Sequence, residues 1–419
     1  MASAGASNKN QEVETNASSI PADACKRVKV GVLGATGAVG QRFLCLLHNH
    51  PYFRVAAVGG SSRSAGKRFA EAVTWRQDDD KALTEEILQM TVLECTCPAL
   101  FRQKGCALIF SALDAAAADE LEELFAREGF MVFSNAKSHR MDPDVPILLP
   151  YVNAPLLDVV RAQAHYVKAR GGIVTNANCA STGLVVALRP LLDRWGITRL
   201  SIATLQAISG AGYPGLSAMD MVDNVIPFIS GEEEKLEREP QKMLGSLGSA
   251  GRSIQSASFE SVAMCHRVPV VDGHTVTVTV DFPSNAFPDT ADPLKVAAEV
   301  TSVLGAFEPP KEVTALPSCP TQVTPFRLSQ VILVCEDPSR PQPRIDRLRG
   351  NGMSVSVGPV KAKFLVHSKT WSVKFTTLVH NTVLGAAGCA ILNAELALHR
   401  GMIRDPNNQD GILEPVSCP

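Results

Sequence analysis

Val28-Lys29-Val30-Gly31-Val32-Leu33-Gly34-Ala35-Thr36-Gly37-Ala38-Val39-Gly40 is the stretch that decides the fold. Its first six residues form a short β-branched run, the pattern of a strand buried on both faces. A glycine-spaced turn follows at once, and Gln41 to His50 then reads as a helix stopped by Pro51. Phe53 to Val58 supplies the next strand. This is βαβ punctuation. A strand at Ala107 to Phe110, a helix at Ala115 to Arg127 and a strand at Met131 to Phe133 continue it. The spacing predicts an open parallel sheet with helices on both faces over residues 27–175.

In the turn, Gly34 and Gly37 let backbone approach a pyrophosphate, and Gly40 permits tight helix–strand packing. The end of the second strand discriminates between nucleotides, because an acid there holds the ribose hydroxyls of NAD. Gly59-Gly60-Ser61-Ser62-Arg63-Ser64-Ala65-Gly66-Lys67 contains no acid. Its hydroxyls, with Arg63 and Lys67, suit a 2′-phosphate and predict NADP. Taken without the preceding turn, the same loop reads as a solvated basic segment.

Beyond residue 175 the grammar changes. Thr198 to Ile208 reads as a long strand, and Thr275 to Val280 alternates with period two, as a half-buried antiparallel strand does. Lys363 to Val366 and Ser372 to Phe375 look similar. A mixed sheet in an α+β domain is expected. Gly231 to Pro240 is a charged helical run, and about 308–350 is proline-rich without a clear period, a loop-rich insertion. Leu384 to Leu398 reads as a helix with small residues on one side, suited to close packing back onto the first domain.

Cys179 follows an Asn-rich turn and opens a helical segment, Cys179-Ala180-Ser181-Thr182-Gly183-Leu184. A thiol at a helix N-terminus is expected to meet unpaired N–H groups and the positive end of the dipole, both favouring thiolate. A buried inert cysteine is the competing reading. A thiolate beside a nicotinamide suggests aldehyde chemistry, in which sulfur attacks a carbonyl and hydride moves to or from the ring. Histidine suits the proton transfers. His274 stands out among nine histidines because the Asp272-Gly273 turn before it is expected to place Arg267 and His274 on one hairpin face. His139 and His266 are its rivals.

Composition narrows the function classes. The 419 residues allow two or three domains, and a net charge of −2 offers no global case for nucleic acid or an anionic membrane. No apolar run approaches the ~20 residues of a membrane helix. Eleven cysteines without a framework spacing read as reduced thiols in a reducing compartment, the cytoplasm by default. No metal site is expected, since Cys95-Thr96-Cys97 lacks a matching Cys/His pair. Residues 1–26 read as a disordered polar tail.

With these residues in view, the chain resembles the aspartate-semialdehyde dehydrogenases, most closely their archaeal and fungal branch. The resemblance rests on Gly34-Ala-Thr-Gly-Ala-Val-Gly40, Ser134-Asn135-Ala136, Asn176-Ala177-Asn178-Cys179, Arg267-Val268-Pro269 with Gly273-His274, and Asn381-Thr382-Val383-Leu384-Gly385-Ala386-Ala387-Gly388. It covers about 27–310 and 355–402, and leaves out the tail and much of 308–350. It implies a Rossmann-type NADP-binding domain over 27–178, completed by a helix at about 383–402, and an α+β catalytic and dimerisation domain with a mixed sheet over 179–382. The implied reaction is NADPH-dependent reductive dephosphorylation of L-aspartyl 4-phosphate to L-aspartate 4-semialdehyde through a cysteine thioester, in a homodimer or homotetramer.

The resemblance also implies residue roles. Cys179 is the nucleophile and His274 the acid/base. Arg267 binds the substrate carboxylate, Gln206 orients substrate, Arg140 binds phosphate, and Glu232 with Lys235 holds the substrate amine and the phosphate. By themselves the charges of 232–240 read as a solvated helix, and the choice among Glu232, Glu233 and Glu234 stays open. Cofactor contacts fall to Gly34, Thr36, Gly37, Ala38, Val39, Ser61, Arg63, Ser64 and Ser111, with Gly212 and Asn381 near the nicotinamide. Two other readings compete: a reductase of malonyl-CoA or N-acetylglutamyl phosphate, and a non-enzymatic NADP sensor.

Overall fold

A computed structural model describes residues 27–78, 80–320, 330–406, 408 and 411–413. The tail expected at 1–26 lies outside the described residues, as does part of the 308–350 segment.

Six strands form one parallel sheet: β1 (Val28–Leu33), β2 (Phe53–Gly60), β3 (Leu93–Glu94), β4 (Leu108–Ser111), β5 (Met131–Ser134) and β6 (Gly172–Thr175), in spatial order β3-β2-β1-β4-β5-β6. Period-two alternation places Val30, Val32, Phe110 and Phe133 in one core cluster and Leu33, Ile109, Val132 and Ile173 in another. Both faces are therefore buried, which is why the strands read as continuous apolar runs. The strand order reverses direction between β1 and β4, and crevices at such switch points are where ligands bind in open α/β sheets. Helix α1 (Ala38–Leu47) follows β1, and α2 (Ala115–Arg127) follows β4 with Asp114 capping its first amides.

Seven further strands build a mixed sheet, apart from a two-stranded ribbon of Ser246–Leu247 and Ile254–Gln255. The seven are β7 (Arg199–Gln206), β8 (Glu260–Arg267), β9 (His274–Asp281), β10 (Ile332–Val334), β11 (Val355–Val357), β12 (Lys361–Leu365) and β13 (Thr370–Val379). The path is β8-β7-β9-β13-β11-β10, with β12 paired to β13. Two expectations change here. Arg267 and His274 do not share a hairpin, because β7 lies between their strands, parallel to β8 and antiparallel to β9. The 308–350 segment is not only loop, because it contributes β10 to the sheet's edge.

Three helices position the site. Helix α3 (Cys179–Trp195) packs its apolar side on the mixed sheet, and Gly183 allows this, since a Cβ there would stand 3.0 Å from Val379 Cβ. Helix α4 (Glu232–Met243) lies across α3 and β8. The C-terminal helix expected at 384–398 begins as a π turn, Val383–Ala387, and continues as α5 (Gly388–His399), whose first eleven residues are buried. It returns to the parallel sheet, where Asn393 Nδ2 donates to Leu148 O at 3.2 Å and Asn176 Oδ1 at 2.9 Å.

Candidate active site

The turn after β1 is built for close approach. Gly34 has φ +68°, and a Cβ on Gly40 would lie 2.2 Å from Gly34 O and 2.6 Å from Ala35 Cα. Only glycine lets α1 begin this close to the strand. The N-cap of α1, Gly37, supplies no side-chain hydrogen bond, so the first amides of a ten-residue helix are left for an anion. Gln41 locks the turn from behind: its amide donates to Thr36 O at 2.8 Å and Thr74 O at 3.0 Å. These features fit a dinucleotide pyrophosphate. The loop Ser61-Ser62-Arg63 at the end of β2 is exposed, with Arg63 carrying the charge beside it. Ser111 departs from expectation. It is wholly buried and its hydroxyl donates to Glu122 Oε1 at 2.6 Å, so its side chain faces α2 rather than a ligand.

A cleft of about 530 Å³ opens above this turn. It is lined by Ala38 and Val39 from the turn, Arg140, Cys179, Glu232, Lys235, Gly210, Gly212 and Asn381. Gly34, Thr36, Gly37, Ser61, Arg63 and Ser64 do not line it. Gln206, Arg267 and His274 stand immediately behind its wall. A Cβ on Gly210 would lie 2.9 Å from Arg267 Nη1 and 3.0 Å from His274 Nε2, and Gln206 Nε2 donates to Glu232 Oε2 at 3.3 Å. Residues more than 200 positions apart in the chain thus meet, because the β1 turn, the start of α3, the β7 end and the π turn converge. Gly385 in that π turn is pressed against Cys179, where a Cβ would stand 3.0 Å from the cysteine's own.

The surroundings of Cys179 differ from the expected open helix N-terminus. Asn178 Oδ1 already accepts from Ala180 N at 2.9 Å and Ser181 N at 3.3 Å, so these amides do not serve the sulfur. Burial pushes the Cys179 thiol up to about 12, with the Glu232 carboxylate adding to it, against the opposing charges of Arg140, Arg267 and Lys235.

His274 is wholly buried, and burial followed by the Arg267 charge drives its pKa down to about 3. Its Nδ1 accepts from Ala207 N at 3.0 Å. A neutral imidazole accepting at Nδ1 carries its proton on Nε2, and that buried Nε2 has no partner. His274 thus presents an N–H donor. His139 pairs with Asp142 at 3.0 Å and His266 meets Thr204 O at 3.1 Å, so both rivals are engaged elsewhere.

Three cations, Arg140, Arg267 and Lys235, stand close enough for their charges to act on the sulfur. Arg267 Nη1 donates to Ala207 O at 2.7 Å, while its Nε is buried without a partner. Arg140 Nη2 donates to Asn135 O at 3.0 Å and its Nε is likewise unpartnered. Of the three successive acids, Glu232 faces the cleft, Glu233 accepts from Cys265 N at 3.2 Å, and Glu234 pairs with Arg238. Burial opposes the Glu232 charge, but Lys235, Asn178 and Gln206 outweigh it and hold the carboxyl below its ordinary range. Asn381 joins Ser209 and Gly273, accepting from Gly273 N at 2.8 Å. Sequence reasoning passed over Asn178, Asn135, Glu239 and Lys242 as individual contributors. The spacing 232, 235, 239, 242 is a heptad-like stripe, the signal that α4 buries a charged face. Among the described residues no group of three or more His, Cys, Asp or Glu is placed to hold a metal.

Residues 29–159 match the family model described as the semialdehyde dehydrogenase NAD binding domain, and 188–384 match the semialdehyde dehydrogenase dimerisation domain. The aspartate-semialdehyde dehydrogenase of Schizosaccharomyces pombe is 43% identical over 382 residues, covering 90% of this chain and 99% of that protein. That of Archaeoglobus fulgidus is 41% identical over 380 residues, covering 90% and 100%. The crystal structure of aspartate semialdehyde dehydrogenase with NADP from Candida albicans matches with a TM-score of 0.77 at 39% identity, over 90% of this chain and 100% of that one.

Proposed function

The chain belongs to the aspartate-semialdehyde dehydrogenase family, and from that premise we infer that it catalyses NADPH-dependent reductive dephosphorylation of L-aspartyl 4-phosphate to L-aspartate 4-semialdehyde. The observation that carries the reading is the meeting of the Cys179 thiol and the unpartnered Arg140 edge on the cleft above a dinucleotide-type turn, with the N–H-donating His274 and the unpartnered Arg267 Nε directly behind its Gly210 wall. A nucleotide-sensing protein would need only the turn.

Arg267 binds the substrate carboxylate through its Nε edge, and Glu232 takes the substrate ammonium. Gln206 holds Glu232 in place. Arg140 and Lys235 hold the phosphate. The Cys179 sulfur attacks the β-acyl carbon and the acyl–phosphate bond breaks. The thiol proton leaves with the phosphate. Bound NADPH supplies the hydride that reduces the resulting thioester. His274 Nε2–H hydrogen-bonds the thiohemiacetal oxygen as charge develops on it, and a solvent proton completes the hydroxyl. Collapse of the thiohemiacetal breaks the C–S bond, releases the aldehyde and returns the proton to Cys179.

Residues 27–178, with the helical return at about 383–402, form the NADP-binding unit, and 179–382 form the catalytic and dimerisation unit. Gly34, Thr36, Gly37, Ala38 and Val39 cradle the pyrophosphate, Ser61, Arg63 and Ser64 take the 2′-phosphate, and Gly212 and Asn381 border the nicotinamide. The protein assembles at least as a homodimer. The exposed Leu205, Val262 and Met264, side by side on β7 and β8, support the mixed sheet as the mating face. A free reactive thiol needs a reducing compartment, which supports the cytoplasm.

The test is NADPH formation from L-aspartate 4-semialdehyde with and without inorganic phosphate, for the wild-type protein and Cys179→Ala. Phosphate-dependent turnover, lost in the variant with NADP binding retained, is expected. Turnover that needs coenzyme A in place of phosphate, or a fully active variant, refutes the reading.

A further inference from the structure

Helix α4 carries a second charged pair two turns beyond Glu232 and Lys235. Glu239 is only 2% exposed and Lys242 only 4%. Glu239 Oε1 accepts from Arg140 Nη1 at 2.9 Å, and Glu239 Oε2 accepts from the backbone N–H of Asn178 at 2.6 Å. One carboxylate therefore joins the arginine that borders the cleft to the Ala177–Asn178 peptide, one residue before Cys179. Lys242 Nζ reaches the same loop from its other side, donating to Arg140 O and Asp142 O, each at 2.6 Å.

These contacts orient the guanidinium. With Nη1 on Glu239 and Nη2 on Asn135 O, the buried Nε remains the donor without a partner. A charge-assisted hydrogen bond at this distance is strong and directional. Sequence patterning hides the arrangement, because Glu239 and Arg140 are 99 residues apart and Glu239 sits in a run of exposed-looking charges.

We propose that Glu239 is a positioning residue that fixes Arg140 and the Ala177–Asn178 peptide at the head of α3 relative to one another, setting the gap between the departing phosphate and the attacking sulfur. The proposal rests on the reading of Arg140 as phosphate ligand and Cys179 as nucleophile. A merely structural ion pair would affect folding and leave the balance between the two substrates' Michaelis constants alone.

The experiment uses the full-length enzyme in the aldehyde-oxidising direction, with KM measured separately for phosphate and aldehyde. Glu239→Gln keeps the shape but removes the charge. It is expected to raise the phosphate KM about tenfold or more, with the aldehyde KM within about twofold of wild type. Glu239→Asp, charged but shorter, falls between. In an Arg140→Ala background, which itself raises the phosphate KM, Glu239→Gln adds less than about twofold, because the two act through one contact. A wild-type phosphate KM in Glu239→Gln, alongside a raised one in Arg140→Ala, overturns the positioning role and leaves the phosphate reading intact. An unchanged phosphate KM in Arg140→Ala overturns the phosphate reading itself. If Glu239→Gln does not fold, Glu239→Asp decides: a phosphate KM raised about threefold or more supports the role, and an unchanged one overturns it.

Discussion

Adding one methyl group at Gly210 should disable the enzyme without unfolding it. Gly210 lies on the exposed turn Ile208–Ala211, and its φ is not in the left-handed region, so alanine suits its backbone. The alanine Cβ would stand 2.9 Å from Arg267 Nη1, 2.9 Å from His274 Cε1 and 3.0 Å from His274 Nε2. Comfortable non-bonded contacts lie near 3.5–4.0 Å, so one side must move by roughly 0.5–1 Å. Neither side chain is free to retreat. Arg267 Nη1 is tied to Ala207 O at 2.7 Å, and His274 Nδ1 accepts from Ala207 N at 3.0 Å inside a fully buried site. Misplacing catalytic groups by about 1 Å costs on the order of 10²-fold in rate. That corresponds to about 2.7 kcal/mol of barrier. Overpacking costs about 1–3 kcal/mol in a rigid core, and less on an exposed turn. The assay is kcat/KM in both directions, with NADPH affinity and Tm as controls. We expect kcat/KM to fall about 100-fold, with NADPH affinity within about twofold of wild type. A variant that retains kcat/KM within about threefold would show that His274 and Arg267 yield freely, and would refute the claim that their positions are held.

Two further outcomes follow from the same geometry. Arg63→Ala should raise the KM for NADPH about tenfold while leaving NADH turnover unchanged, since only NADPH carries the 2′-phosphate; equal losses with both nucleotides would remove Arg63 from the site. For acid stability, burial holds the folded-state pKa of His274 at about 3 and that of His380 at about 4, both below the ordinary 6.5. The unfolded chain therefore binds more protons as pH drops below 6.5, and the stability present above that value is lost on the way down. Calorimetry from pH 7 to pH 4 should show a falling Tm, with a shallower slope in His274→Gln; parallel slopes would mean that His274 is not buried neutral.

Much of the fold was legible because it is written in near neighbours. The β1 run, the glycine turn and α1 are contiguous, and strand burial, turn geometry and helix start are each set within a few residues. The helix expected at Ala115 to Arg127 has those bounds in the structure, with Asp114 as its cap. Cys179 at the head of α3 was likewise visible, as was the change to period-two strands after it. The mixed sheet defeated local reading at two points, the edge strand at Ile332–Val334 and the expected hairpin before His274. An Asp-Gly turn between two strands suggests a hairpin, yet β7 enters between β8 and β9, and nothing near residue 272 records the presence of residues 199–206.

The residue types gathered at the cleft, the glycine turn and the class of fold were thus determined by the sequence alone. Protonation states and orientations were decided only in three dimensions. Asn178 takes the α3 amides, and burial pushes the Cys179 thiol up. The Ser111 hydroxyl turns toward Glu122, and the charged stripe of α4 faces inward because Arg140, Asn178 and Gln206 arrive from elsewhere in the chain to meet it. Spacing along a chain reports which face a residue shares with its neighbours; the electric field and desolvation at an atom depend on every group packed around it, and those groups come together only when the two sheets do.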